Sequence, residues 1–541
     1  MASFSAKLSR IAAIAALGAV VMSGCATAGG DTADRATGNE KLVWAIAGGN
    51  LENNHMDPHR SQLDVSAIVG RLVLDSLTYL DEKGELQPWL ATDWSVSEDG
   101  KSVSFDLRHD VTFHDGEAFN AAAVKANFDH IMAEETESAA ASDLLGGDVY
   151  SETVVIDDDT VEVRFTQPFA PFLINTSTAN LGMYSPKALA ASAEKLPVGG
   201  PGVSVGTGPW VMTEITPGAS ISYERNADYN WYPEGVKAAD KTASNLEVQI
   251  VPEQQVRVQR VESGEADVAS ELQPNGLDGL TSEVVLNENP GMPYSVFLNT
   301  SNPILADVKV RQALALSADI DAIVASTFQG NLQPATGVLS QATPAIGAAA
   351  DKDYTNFDET KAAALLDEAG WVQNNPGEIR EKNGEKLSLD WYRWTEQPVE
   401  RETISTFLAD GWRKLGVEVN IHVLEGEQYN KFYGTPEMAL TDWGYSSADP
   451  DILRNHLHSA GFQNIVSVAD PELDAKLTAA TANFDAEKRG EIYSEVIRTA
   501  ADEAYIIPVF NTAFINVVGK NTAGFAVDGY GFPVFFNTSK A

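Results

Sequence analysis

Cysteine occurs once in the 541 residues, at Cys25. No intrachain disulfide can form, so the fold has to be held by buried apolar surface and satisfied hydrogen bonds. Length and a hydrophobic content of 44% allow a core of that size, divided over two or three lobes rather than one. The constraint is sharper because the chain opens like an exported one. Lys7 and Arg10 precede an apolar run from Ile11 to Met22, and Ser23 and Gly24 stand just before the cysteine. A basic start, an apolar stretch and small residues at a cut site mark residues 1–24 as a secretory signal peptide. The run is shorter than the roughly 20 residues of a spanning helix.

The Ser-Gly-Cys ending resembles the lipobox of bacterial lipoproteins. That resemblance implies that the Cys25 thiol is lipidated, becomes the first mature residue and anchors the protein on the outer face of the cell membrane. An ordinary secretory signal with an incidental cysteine is the other reading. Residues 25–40 are small and polar and read as a flexible tether. The net charge of -40, from 77 acidic and 37 basic residues, repels nucleic acid and anionic lipid. The acids are spread along the chain, which reads as solubility or adaptation to salt, with steering of cationic ligands as the alternative.

From Lys41 onward, strand and helix patterns alternate. KLVWAIA reads as a buried strand, SVSFDL (102–107) as an alternating one, and TVVIDDDTVEVRF (153–165) as two strands around an Asp-rich turn. Helical spacing runs through 309–327, 358–370 and 401–416, the last two ending at Gly370 and Gly416. Asp307 is the expected N-cap of the first. Gly206 and Gly208 are expected to permit a tight turn into the strand WVMTEI. The class is mixed α/β.

Four stretches in order carry a family resemblance: LQPWLATDWSVSEDGKSVSFDLRHDVTFHDGEAFNAAAVKANFDHI (86–131), GTGPWVMTEITPGASISYERNADYNW (206–231), FLNTSNPILADVKVRQALALSADIDAIV (297–324) and DETKAAALLDEAGW (358–371), the last followed by WRKLGVEV and TDWGYSSADP. The chain from about 41 to 535 resembles the family 5 extracellular solute-binding proteins of bacterial ABC importers, the peptide and nickel binders. The resemblance implies a periplasmic-binding-protein-like type II fold, with two lobes, an interlobe cleft and an extra domain. Lobe I is expected from 41–71, 206–292 and 508–541, the extra domain from 72–205, and lobe II from 293–507. Hinges are expected near Gly291-Met292-Pro293 and Ile507-Pro508. It also implies ABC permease and ATPase partners and a monomeric binder that closes on its ligand.

In such proteins the loop matching Thr441–Pro450 lines the cleft, so Trp443 and Tyr445 are expected as flat walls and Ser446 and Ser447 as hydrogen-bonding groups. Asp449 reads as structural. Dipeptide binders carry an Asp for the ligand amine where this chain has Ser446; Asp442 is a candidate replacement. Arg393 and Arg401 are the cationic candidates for a ligand carboxylate, with Tyr392 and Trp394 flanking the first. Nickel binders hold their chelate with an Arg, but the matching place here falls near Asn180. His59 is expected to line the cleft rather than bind metal. His456 and His458 read as exposed on a helix, pointing to different faces. No metal site and no cofactor are expected.

The patterns Gly-x-Ser-x-Gly, His-Glu-x-x-His and the phosphate loop are absent, and no pair of carboxylates stands out. The expected function is capture of oligopeptides or dipeptides for import, without catalysis. A nickel or opine-type chelate binder and a non-transport surface receptor are the alternatives.

Overall fold

The computed structural model describes residues 40–344 except 50 and 52, 356–395 and 397–541. Cys25, the signal and nearly all of the tether lie outside the described residues. Three sheets carry the fold. The first has seven strands, in the order Glu283–Glu288, Ala513–Val518, Val268–Ala269, Lys41–Ile46, Asn245–Ile250, Ser220–Arg225 and Trp210–Thr216. Its central strand Lys41–Ile46 runs parallel to both neighbours, with Leu42, Trp44, Ala45 and Ile46 buried. An apolar run covered on both faces is what a parallel strand requires.

The second sheet has five strands, in the order Glu418–Leu424, Ser388–Trp394, Leu440–Ser446, Gly291–Leu298 and Ile506–Phe510. Helices Val308–Leu316, Glu359–Glu368 and Val399–Leu415 share one core with it. The helical run expected over 309–327 is two helices, because Asp319 caps a second one, Ile320–Phe328, by accepting from Ala322 N at 3.2 Å. Asp307 caps the first as expected, accepting from Lys309 N. The third sheet is antiparallel, in the order Ala91–Val96, Ser102–Leu107, Thr160–Phe165 and Tyr150–Val155. It has its own aromatic core, to which Tyr229, Trp231 and Phe536 contribute from distant segments.

The chain passes between the first two sheets at two adjacent places. Glu288 pairs with Ala513 in the seven-stranded sheet, whereas Gly291 pairs with Ser446 in the five-stranded one. Strand Ile506–Phe510 pairs with Gly291–Leu298, and Ala513–Val518 returns to the seven-stranded sheet. The crossings are therefore Asn289–Pro290 and Asn511–Thr512, joined by the bond from Asn289 N to Thr512 O at 2.8 Å. The second crossing differs from the expected Ile507-Pro508, which lies inside a strand. Proline fits there because Pro508 faces Ser295 at a register shift of that edge strand.

Gly206 and Gly208 serve close approach rather than a turn. A Cβ on Gly206 would stand 2.1 Å from Val73 O, and one on Gly208 2.6 Å from Val73 C. Gly208 N and Trp210 N donate to Val73 O and Leu72 O across that contact, at 2.8 and 3.0 Å. Beside it, the buried Asp75 carboxylate accepts from Thr207 Oγ1 and Trp231 Nε1, both at 2.9 Å, and from Tyr229 OH at 3.4 Å. This stitches the chain entering the third sheet to the chain leaving it.

Burial pushes the Asp75 carboxyl up to about 7, against the donors that favour its charge. Asp75 therefore contributes stability that is full below the unfolded value of about 3.9 and is lost as pH rises toward 7. Urea unfolding across that window should show this loss in the wild type and a flatter profile in Asp75→Asn. Asp75→Ala should cost about 3 kcal/mol or more, since each orphaned buried donor costs ~1–3 kcal/mol.

Candidate functional site

Thr441–Pro450 is less a loop than the end of a strand, Leu440–Ser446. Alternation along that strand splits its side chains between two faces. On one face, Asp442 is buried and fully engaged. It accepts from Tyr294 OH at 2.7 Å, Trp391 Nε1 at 2.8 Å, and Arg393 Nε and Nη2 at 2.9 and 3.3 Å. Arg393 and Asp442 are 3% and 5% exposed. Arg393 is thus paired inside the sheet and does not face a cavity, and Asp442 has no capacity left to replace an acid at Ser446.

On the other face, Trp443 packs against Phe297, with ring centroids 4.5 Å apart, and stacks toward Tyr433. Among the described residues its Nε1 has no hydrogen-bond partner. Tyr445 packs on His456 at 4.9 Å and bonds to Gln463 Nε2. His456 is buried, contrary to the expected exposed face, because it fills the space between Phe297, Trp443 and Tyr445. Burial pushes its imidazole down to about 4. His458 does point elsewhere and stays partly exposed beside Asp474.

A cavity of about 1270 Å³ opens where this strand ends. Tyr445, Ser446 and Ser447 line it; Trp443 lies behind them. Ser447 Oγ closes the local turn by donating to Asp449 O at 2.9 Å, whereas Ser446 is exposed, with only a 3.5 Å contact from Asn289 Nδ2. Asp449 is held by Arg489 through two bonds of 2.7 and 2.6 Å, which fits its structural reading. Helix Asp64–Gly70, the short helix Pro171–Asn175 and the turn around Tyr530 supply further walls.

The other expected site residues lie away from this cavity. Tyr392 is sandwiched between His422 and Phe432, at 4.7 and 4.3 Å. Trp394 is 48% exposed at its strand end. His59 is buried, bonds Gly182 O through Nε2 at 2.7 Å and packs on Tyr184. Burial pushes it down to about 4, so it is a neutral packing group at neutral pH. Asn180 does line the cavity, but its amide is tied to Pro58 O at 2.9 Å and Ser61 O at 3.3 Å.

Of the two arginines weighed from the sequence, Arg401 is the one in the cavity wall. Its guanidinium lies 4.9 Å over the Tyr294 ring and donates from Nη1 to Gln397 Oε1 at 2.5 Å. It forms no ion pair with any described carboxylate. Asp64, Asn289, Phe462 and Tyr530 also line the cavity, and nothing in the sequence singles them out. Each sits in a segment without a motif, and only the fold brings them together.

Two sheets joined by paired crossings, with a cavity lined from both sides, fit the two-lobe type II fold class. The model of the bacterial extracellular solute-binding proteins, family 5, matches residues 85–464, and the chain belongs to that family. The dipeptide-binding protein of Escherichia coli K12 is 28% identical over 489 residues, covering 84% of this chain and 86% of that protein. The fold is that of NikA from Brucella suis, solved with Fe(III)-EDTA, at TM-score 0.77 and 23% identity over 93% of this chain and 100% of that one. It is also that of the oligopeptide-binding AppA from Bacillus subtilis, solved with a nonapeptide, at TM-score 0.72 and 19% identity over 93% and 99%.

Removing one partner of a buried charge pair leaves the other uncompensated. Asp442→Ala should therefore cost about 3–5 kcal/mol in urea unfolding. Trp394→Ala, at an exposed strand end, should change stability by less than about 0.5 kcal/mol.

Proposed function

We propose that this protein captures peptides in the cavity between its two sheets and hands them to an ABC permease and its ATPase. The observation that carries this reading is Arg401. Its half-buried guanidinium is pushed down by burial and has no ion pair among the described residues, the nearby Asp442 being held by Arg393, and a partly desolvated charge gains from a ligand that supplies a carboxylate. A peptide C-terminus does so with the bidentate geometry that arginine favours. Tyr445 and Ser446 offer hydroxyls to the peptide backbone from the strand end beside it, while Ser447 holds the turn that follows. A cavity of about 1270 Å³ has room for more than a dipeptide. The dipeptide- and oligopeptide-binding relatives support this cargo. The E. coli nickel-binding relative keeps a metal chelate open as a second cargo. Among the described residues no group of three His, Cys, Asp or Glu stands ready for a metal ion, so a metal would arrive with its own chelator.

The division into lobe I (41–71, 206–292, 508–541), extra domain (72–205) and lobe II (293–507) belongs to the same proposal. So do non-catalytic binding, a monomeric state, and a Cys25 lipid anchor that keeps the binder on the extracytoplasmic face of the membrane.

Native mass spectrometry of protein purified without denaturation should reveal bound peptide. Arg401→Met keeps the apolar stem over Tyr294 and removes the charge. It should fold with a thermal midpoint close to wild type and lose at least about tenfold in affinity for peptides with a free C-terminus. C-amidated peptides should bind both forms alike. A metal adduct without peptide would replace this reading with the chelate one.

A further inference from the structure

Two imidazoles meet inside the molecule, and each keeps one nitrogen without a donor. His59 is buried on the loop after Asp57, and His130 stands in the last turn of helix Ala121–Met132. Their ring centroids are 5.5 Å apart. His59 Nε2 donates to Gly182 O at 2.7 Å, so its Nδ1 is a bare lone pair. Thr136 uses its one hydroxyl proton on His130 O. His130 Nδ1 therefore donates to Thr136 Oγ1 at 3.2 Å, and His130 Nε2 is bare as well. Both bare nitrogens are buried and have no hydrogen-bond partner among the described residues.

Residues 133–140 lie across this pair. They join helix Ala121–Met132 to the short helix Ala141–Leu145, whose two end residues are buried in the core of the third sheet. Three contacts fasten the segment to the loop. Ser138 Oγ donates to His59 O at 2.8 Å, Ala139 N donates to Arg60 O at 3.0 Å, and Glu137 pairs with Arg60 at the surface. Thr136 is the only buried residue of the segment. Glu137 holds φ 50°, in the left-handed region that non-glycine residues seldom adopt. Few buried contacts and a strained residue mark a segment that opens locally at low cost. Met132, Ala139 and Ala140 line the cavity, so the segment is part of its wall.

We propose that the facing histidines His59 and His130 fasten this wall while both are neutral and release it when they take up protons. Burial pushes both imidazoles down to about 4, and for His130 the neighbouring His59 adds to the effect. Once exposed, each returns to the ordinary value of about 6.5. Between those values the detached wall binds protons that the fastened wall does not. Fastening is therefore complete above about 6.5 and is lost as pH falls toward 4. Asp57 is the one acid acting on the pair and favours a charged His130, but not enough to offset burial. Its Oδ1 is held by His59 N and Tyr184 OH at 3.0 and 3.3 Å, and burial pushes its own carboxyl up. The buried phenols of Tyr184 and Tyr223 are pushed up and keep their protons. Arg60 acts on Asp57 and is paired with Glu137, His55 is bonded to Ser61 Oγ at 3.1 Å, and Glu134 and Glu135 are exposed. That a loosened wall lets cargo go rests on the reading of this cavity as the binding site; the acid response of the wall does not.

Hydrogen–deuterium exchange of the full-length protein without added ligand, at pH 7 and pH 5 and corrected for the intrinsic rate, tests the proposal. Peptides covering 133–140 should lose at least about tenfold in protection at pH 5, while those covering Lys41–Ile46 keep theirs. The double variant His59→Gln, His130→Asn keeps an amide N–H where each imidazole donates and cannot titrate, so its segment should exchange alike at both pH values. An acid response that survives in the double variant overturns the proposal, as does equal wild-type protection at the two pH values. Should the double variant be loose already at pH 7, the exchange of imidazole C2 hydrogens in the wild type, followed over pH, decides. Titration of His59 and His130 well below the ordinary value supports the fastener, and titration of both at about 6.5 overturns it. Because no ligand is present, failure here leaves the peptide reading standing, and failure of the peptide reading leaves the acid response of the wall standing.

Discussion

The buried carboxylate of Asp442 organises the side of the cavity built by the five-stranded sheet. Four donors converge on it from two strands, Gly291–Leu298 and Ser388–Trp394, which flank its own strand Leu440–Ser446. Its pairing with Arg393 neutralises one arginine, while Arg401 has no ion pair among the described residues. The Tyr294 ring whose hydroxyl bonds Asp442 is the surface on which the Arg401 guanidinium lies. The hub therefore fixes where the Arg401 cation stands. Because alternate residues of a strand face opposite ways, a charge hub at Asp442 also commits Trp443 to the aromatic core with Phe297, Tyr433 and His456. The strand then delivers Tyr445 and Ser446 to the cavity.

The two crossings set the second constraint. Asn289–Pro290 and Asn511–Thr512 lie side by side, hydrogen-bonded to each other, and each leads from one sheet into the other. Motion concentrated at so short a pair of connections leaves the cores on either side intact, as hinge closure requires. In the proposed cycle a peptide held in the cavity supplies the free energy that favours the closed form.

Much of the fold was legible in the sequence because it rests on local rules. The central strand Lys41–Ile46, the caps at Asp307 and Gly416 and the Asp-rich turn before Thr160 follow from periodicity and turn chemistry. The family motifs mark the same scaffold: Gly206 and Gly208 are there because the backbone at Val73 leaves no room for a Cβ. The cavity was less legible, because which arginine is paired depends on a contact between strands far apart in the sequence. Arg393 and Asp442 are 49 residues apart, and nothing near either one announces the pair.

The central claim is that ligand charge draws the two sheets together across this cavity. Pulsed electron spin resonance between labels at Val284 and Val423, exposed positions on the seven- and five-stranded sheets, measures this directly in a Cys25→Ser background. Adding the lysine-free peptide pool should shift the distance distribution in protein with Arg401 and leave it in place in Arg401→Met. An unchanged distribution in the wild type, with peptide shown bound by native mass spectrometry, would contradict the account.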